Sequence, residues 1–408
     1  MPVPTHRPLV VRGPLAQPDG PTAADGTVLL EEGRVRYAGP ATDAPKAPDH
    51  ALELEVEGTI VPGLIDAHVH LTCDGGPDLL AEVDGRGPAE LTAKALANAW
   101  RSLARGVVAV RDLGAPCGEA VAVANAVRSG RLRGPEVAAA GRALTAPGGH
   151  IPYLGRVEQG VDAMARAATE ELAAGAVGIK LIATGGVLTR GVPIGNVAYD
   201  EDELAAASRV AREAGAWVAA HVIGLEGTKR AVRAGATTIE HATFVDDEAV
   251  DLIRDRGVVT VGTLSALHAI VRHGRAGGVP EESVLKAESV LDVHTDSLRR
   301  VADAGLPLAT GTDAGTPFNP HGGVATEARL LVQEIGVPPA AAFRAATVDA
   351  ARCLLRDDLG RLVPGGPGHL VVVDGDPRDD VTALERVRAV VWGGLPIDVG
   401  LANLLPLS

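Results

Sequence analysis

The sequence predicts an α/β fold: a (β/α)8 barrel of the TIM type joined to a small β-sandwich domain built from both chain ends. Three observations point there. Between residues 61 and 359, apolar β-like runs alternate about eight times with Ala-rich helical stretches. Such repeated β-α units are the pattern of a closed parallel sheet. The ends, 1–60 and 360–408, read instead as short strands broken by turns. No GxGxxG turn follows the first barrel-type strand, which disfavours an open doubly wound sheet.

In chain order, "PLVVRG", "GTVLLEEGRVRYAG" and "ALELEVEG" give the N-terminal β segments, and "GHLVVVDGD" and "VRAVVWGGLPI" give the C-terminal ones. The barrel strands are expected at 60–67, 107–112, 137–140, 177–182, 217–221, 238–241, 258–262 and 307–312. Helices are expected at 88–105, 160–174, 201–214, 228–234, 246–256 and 281–304, and a further helix, 338–355, leads back to the terminal sheet.

Composition narrows the function. The 408 residues are 46% hydrophobic and 22% charged, which suits a folded soluble chain with one large core and an accessory domain. A formal net charge of -14 with 2% aromatics argues against nucleic acid or an anionic membrane as the main partner. The expected partner is a small molecule, and a homo-oligomer is compatible with the sequence. Cys73, Cys117 and Cys353 form no CxxC pair. They fit a reducing cytoplasm rather than a disulfide framework. The opening "MPVPTHRPLVVRG" does not read as a signal peptide, and no apolar run is long enough to span a membrane.

Candidate chemistry gathers at the expected strand ends. "VPGLIDAHVHL" places His68 and His70 two apart, so both rings point to one side of an extended strand. Neutral imidazoles so placed can share a metal ion. HxH alone is a weak signal. His221 closes "WVAAHV", His241 closes "TTIEHA" and Asp313 stands in "LPLATGTDAG". Each occupies the C-terminal end of a different expected strand, where barrel enzymes carry their catalytic groups. Lys180 sits within the apolar run "VGIKLIATGG", in a chain whose only other lysines are Lys46, Lys94, Lys229 and Lys286. A buried ammonium must find a partner or lose its charge.

These residues, with "PGLIDAHVH", "GTDAG" and the tail "LGRLVPGGPGHLVVVDGDP", resemble the metal-dependent amidohydrolase superfamily over nearly the whole chain. The likeness departs at His369, where members usually carry Ala-Asp before the apolar strand. The resemblance implies two divalent metal ions, with zinc the expected species. It implies that Lys180 is carboxylated by CO2 and that the resulting carbamate bridges the two ions. Arginine cannot replace lysine there, because its guanidinium does not deprotonate to react. His68, His70 and Asp313 would hold one ion, and His221 and His241 the other. A hydroxide bridging the ions would attack an amide carbonyl, with Asp313 as general base and then general acid. The catalytic set is thus Asp313, Lys180 and His241.

A one-metal branch of the same superfamily contains deaminases and imidazolonepropionase, a cyclic-amide hydrolase. Those enzymes typically carry a glutamate three residues after the fifth-strand histidine; this chain has Gly224. A non-catalytic scaffold would have lost metal ligands, and none is missing. "APGGH", ending at His150, and "NVAYDEDEL", with Tyr199, resemble the imidazolonepropionase-related subgroup that includes Xaa-Pro dipeptidases. There the matching His and Tyr face the substrate. "YDEDEL" also reads as a helix start, with Asp200 as N-cap and Glu203 at N3. His321, in "GTPFNPHGG", is a third candidate for substrate contact. Arg190 and Arg272 are equally readable as carboxylate clamps or as solvated loop residues. The expected substrate is a dipeptide or N-acyl amino acid with a free carboxylate, and a cyclic amide or lactone is the alternative.

Overall fold

The computed structural model describes residues 7–397; positions 1–6 and 398–408 of the expected terminal domain lie outside the described residues. The N-terminal strands are β1 (Leu9–Leu15), β2 (Ala23–Glu31), β3 (Arg34–Pro40), β4 (Leu52–Glu55) and β5 (Thr59–Pro62). The middle of the chain contributes β6 (Leu64–Val69), β7 (Val107–Asp112), β8 (Glu136–Ala139), β9 (Ala143–Thr145), β10 (Gly155–Val157) and β11 (Gly178–Ile182). There follow β12 (Trp217–Ile223), β13 (Thr238–Thr243), β14 (Val259–Val261) and β15 (Leu308–Ala309). The tail adds β16 (Leu370–Val373), β17 (Val387–Trp392) and β18 (Leu395–Ile397).

Both chain ends meet in one hydrogen-bonded network, ordered β18-β17-β16-β5-β1-β2-β3 with β4 beside β1. The seam is β5 against β16, antiparallel, with Val61 opposite Val371. Leu9, Val11, Val28, Leu30, Ile60, Leu370 and Val372 pack into one buried cluster across it. The tail cannot leave this sheet without uncovering that apolar surface, at roughly 25 cal/mol per Å2 exposed. His369 ties the same sheet to β8, with Nε2 3.1 Å from Glu136 Oε1 and its ring stacked on Trp392.

The barrel strands are β6, β7, β8, β11, β12, β13, β14 and β15, which pair in parallel around the ring. Val177 N donates to Ala139 O across the β8–β11 join. Ala67 N to Thr310 O, Asp313 N to His68 O and His70 N to Ala314 O close the circle. Strands β6, β7, β11, β12 and β13 are buried along their whole length. That is why they read as unbroken apolar runs rather than as alternating ones.

The elements differ from expectation in several places, with helices Glu119–Arg128 and Val324–Leu330 additional to those expected. The run 60–67 is not one barrel strand: Gly63 divides β5, in the terminal sheet, from β6, in the barrel. A side chain at Gly63 would lie 2.3 Å from Val108, so the chain changes sheets where only glycine fits. Helix Leu264–Gly277 was not expected at all. Its start has no local side-chain cap; the carboxylate of Glu327, some sixty positions on, accepts from Leu264 N and Ser265 N at 2.8 Å each.

Candidate metal centre and catalytic cavity

The strand ends converge on one cavity of about 50 Å3, lined by His68, His70, His150, Lys180, His221, His241 and Asp313 among apolar side chains. His68, in β6, and His70, one residue past its end, turn their rings to the same side, as the spacing requires. His68 Nε2 and His70 Nε2 each lie 3.3 Å from Asp313 Oδ1. These three residues form a group that can hold a metal ion. His221 and His241 adjoin them, with ring centroids 4.6 Å apart and His241 5.3 Å from His68.

The hydrogen-bond network fixes which nitrogen of each ring is free. His68 Nδ1 lies 3.0 Å from Glu240 Oε2, an acceptor, so the proton sits on Nδ1 and Nε2 presents a lone pair. His70 Nδ1 faces Gly114 O at 3.4 Å. His241 Nδ1 lies 2.7 Å from Thr263 Oγ1, whose own proton goes to Gly262 O. His221 uses Nε2 to donate to Gly185 O at 2.9 Å, which leaves Nδ1 free. Each ring therefore spends one nitrogen on a protein acceptor and offers the other, as metal-ligating histidines do.

The electrostatics agree with that reading. Burial pushes His68 down to about 4 and His221 down to about 3, and it holds His241 and His150 well below the ordinary imidazole value. All four are neutral near pH 7, the form that binds metal. The Asp313 carboxyl lies well below the usual carboxylate range despite its burial, and is ionised near pH 7. Asp313 Oδ1 is buried and makes no hydrogen bond among the described residues. Two imidazole lone pairs thus face a carboxylate oxygen, an arrangement that repels unless a cation lies between. The residues present fit a divalent metal.

Lys180 is 1% exposed, and burial lowers its ammonium to about 8 against the opposing pull of Glu240 and Asp313. The residues that sequence reasoning missed lie behind the ligands. Glu240 is fully buried. Burial would raise its carboxyl, yet Arg111, at 2.8 Å, and His68 bring it down to about 2. Arg111, itself fully buried, also donates to Ala67 O at 2.6 Å and lies 5.0 Å from the Trp217 ring centroid. Glu240 was in view in "TTIEHA", but strand alternation sends adjacent residues to opposite faces. His241 escapes that rule through a positive φ of 71°, as Asp313 does with 57°.

The substrate-contact candidates divide. His150 lies in the cavity, its ring 4.7 Å from His221 and its Nδ1 2.8 Å from Thr189 Oγ1. A side chain at Gly186 would lie 2.5 Å from that ring, so "TGG" leaves space for it. Tyr199 is not among the cavity-lining residues: its hydroxyl donates to Glu158 O at 3.1 Å, beside the Asp200–Glu203 capping box. The structure forms the helix start expected in "YDEDEL", with Asp200 and Glu203 in the capping box. His321 also lies outside the cavity, bonded through Nε2 to Cys73 O at 2.8 Å, and lines a neighbouring one with Arg272. Arg190 reaches Asp78 at 3.5 Å.

A family model described as the amidohydrolase family matches residues 59–396. Ochratoxinase of Aspergillus niger is 26% identical over 420 residues, which cover 95% of this chain and 85% of that protein. The structure of a Xaa-Pro dipeptidase with methionine bound in its active site superposes with a TM-score of 0.88 at 29% identity, covering 96% of this chain and 100% of the other. A prolidase complexed with N-methylphosphonate-L-proline gives 0.86 at 30% identity, covering 96% and 99%. The chain belongs to the amidohydrolase family, as an enzyme hydrolysing carbon–nitrogen bonds, with imidazolonepropionase, ochratoxinase and Xaa-Pro dipeptidase among its relatives.

Proposed function

We propose that this chain is a two-metal hydrolase that cleaves the amide bond of a dipeptide or N-acyl amino acid carrying a free carboxylate. His68, His70 and Asp313 would hold one divalent ion, His221 and His241 the second, with Lys180 as a carbamate reaching both. Zinc suits a donor set of imidazoles and carboxylates. The observation that carries this reading is Lys180 itself, a fully buried amine among four neutral imidazoles with its pKa lowered to about 8. A meaningful fraction of that amine is unprotonated near neutral pH, and an unprotonated amine is what adds to CO2. The anion so formed removes the cost of burying an ammonium.

Bound divalent ions would acidify a water and polarise the carbonyl under attack. The residues supply the rest. Asp313 takes the proton of the attacking water on its carboxylate and hands it to the departing amine. His150, with Thr189 at its Nδ1, turns Nε2 toward the substrate and donates to the carbonyl oxygen as it gains charge. Leu79, Ile151, Val187, Leu188, Ile223, Leu267 and Ile270 give the cavity an apolar wall that favours an apolar residue beside the amide. The dipeptidase and prolidase structures support this substrate class, and Gly224 gives no carboxylate for deaminase-type proton transfer. A screen of dipeptides and N-acyl amino acids beside nucleobases tests it: amide cleavage is expected, and ammonia release from a nucleobase would overturn the proposal.

A further inference from the structure

A second cavity, of about 1060 Å3, opens beside the catalytic one, among helix Leu264–Gly277, the loop that follows Asp313 and the end of helix Pro88–Ala104. Its charge runs against that of the molecule. The chain carries a net -14, yet this wall sets Arg101, Arg105, Arg272 and Arg329 against only Glu334 and Glu385. Arg101 is bonded to Asp74 and Asn98, and Arg329 to Glu385. Arg105 and Arg272 are exposed, and among the described residues neither meets an acceptor. Val271, Leu291 and Phe318 belong to the same wall. Free guanidiniums beside apolar surface suit a carboxylate borne on an apolar body.

The two cavities share their partition. Along helix Leu264–Gly277, Leu267 and Ile270 line the catalytic cavity, while His268 and Arg272 line the second. In the loop after Asp313, Thr316 lines the first and Asn319 the second. Asn319 Nδ2 donates to Thr312 O at 2.6 Å and to Thr316 Oγ1 at 3.2 Å, and Thr316 Oγ1 donates to Asp313 O at 2.6 Å. At the helix start, Ser265 lines the second cavity two residues from Thr263, the partner of His241. Asp313 and His241 are thus each joined to the second cavity through one short run of residues.

We propose that the second cavity binds a small organic anion, a carboxylate on an apolar body, and that its occupancy is felt at Asp313 and His241 through the shared wall. The binding site stands independently of the reaction proposed above; the coupling rests on that reading. A ligand shifts the wall only as far as its contacts differ between wall arrangements.

The test is calorimetric titration of the metal-loaded full chain with phenylacetate and with its neutral counterpart 2-phenylethanol, combined with amide-hydrolysis kinetics. The expected result is one phenylacetate per chain, with 2-phenylethanol at least about 10-fold weaker. Replacing both arginines (Arg105→Gln with Arg272→Gln) should weaken phenylacetate by about 10-fold and leave turnover without it unchanged. Phenylacetate should change kcat, by about 5-fold at saturation. Binding that survives the double substitution, or inhibition that is purely competitive, would place the anion in the catalytic cavity and overturn the site. Binding lost in the double variant with kcat unmoved in the parent would overturn the coupling alone. If the double variant does not fold, Arg272→Gln on its own makes the same comparison.

Discussion

His68 Nδ1 stands 3.0 Å from Glu240 Oε2, and the other oxygen of Glu240 is held by Arg111 at 2.8 Å. A fully buried carboxylate thus sets the tautomer of an imidazole of the candidate metal site from behind, while a buried guanidinium keeps that carboxylate charged. Glu240→Gln is expected to weaken zinc binding by about 10- to 100-fold. It should also cost about 3 kcal/mol in stability, because Arg111 loses its counter-charge. Competition with a chelator and chemical denaturation read the two effects separately. Unaltered zinc affinity would show that His68 is oriented by something else.

Lys180→Ala should reduce turnover roughly 10³-fold or more, because the proposed bridge and the position of both proposed ions would go together. A short carboxylic acid supplied with zinc should restore part of the activity in the space left behind. Lys180→Arg should show no such rescue, since arginine fills the space and cannot form a carbamate. Steady-state kinetics with and without acetate decide it.

The loop candidates predict opposite outcomes. His150→Asn should lower kcat/KM by about 10- to 100-fold, since the imidazole proposed to face the developing charge is lost and the shorter amide does not reach its place. Tyr199→Phe should cost about 1 kcal/mol in stability, through its bond to Glu158 O, and leave kcat/KM within about 2-fold. Kinetics and thermal melts on the two variants check this pairing.

How much of this was legible in the sequence depends on whether a signal was local. His68, His70, His221, His241 and Asp313 could be read because barrel strands end where chemistry gathers, and two-residue spacing fixes a side. Lys180 stood out because burial of its charge demanded a reason. The break at Gly63 was hidden because both halves of 60–67 are equally apolar and belong to different sheets. Helix Leu264–Gly277 was hidden because its cap, Glu327, comes from far along the chain. Glu240 was hidden because the positive φ at His241 suspends strand alternation, which no residue-type pattern announces. Tyr199 is a different case: the motif likeness suggests substrate contact, while the structure bonds its hydroxyl to Glu158 O, outside the cavity lining.

Acid should unfold the metal-free protein. His68, His221, His294 and His321 are pushed by burial to about 4, 3, 4 and 4. Between the ordinary value of about 6.5 and those depressed values, the unfolded chain binds protons that the folded chain refuses. Their contribution to stability is complete above about pH 6.5 and is lost as pH falls toward 4. Asp66, Asp112 and Glu327, raised by burial to about 7, 6 and 7, act in the opposite sense over the same interval. His150 and His241 are depressed as well, so the imidazoles outnumber the carboxyls. Tm of the apo protein should therefore fall between pH ~6.5 and ~4, and added zinc should oppose the fall above pH ~6. A Tm that rises on acidification would contradict this balance.

The most direct measurement is a crystal structure of protein prepared without chelator and supplied with zinc and bicarbonate. Density continuing beyond Lys180 Nζ as a carbamate, touching two ions held by His68, His70, Asp313, His221 and His241, is the predicted result. A bare amine at Lys180 beside a fully loaded site, or a single ion in that site, would contradict the proposal.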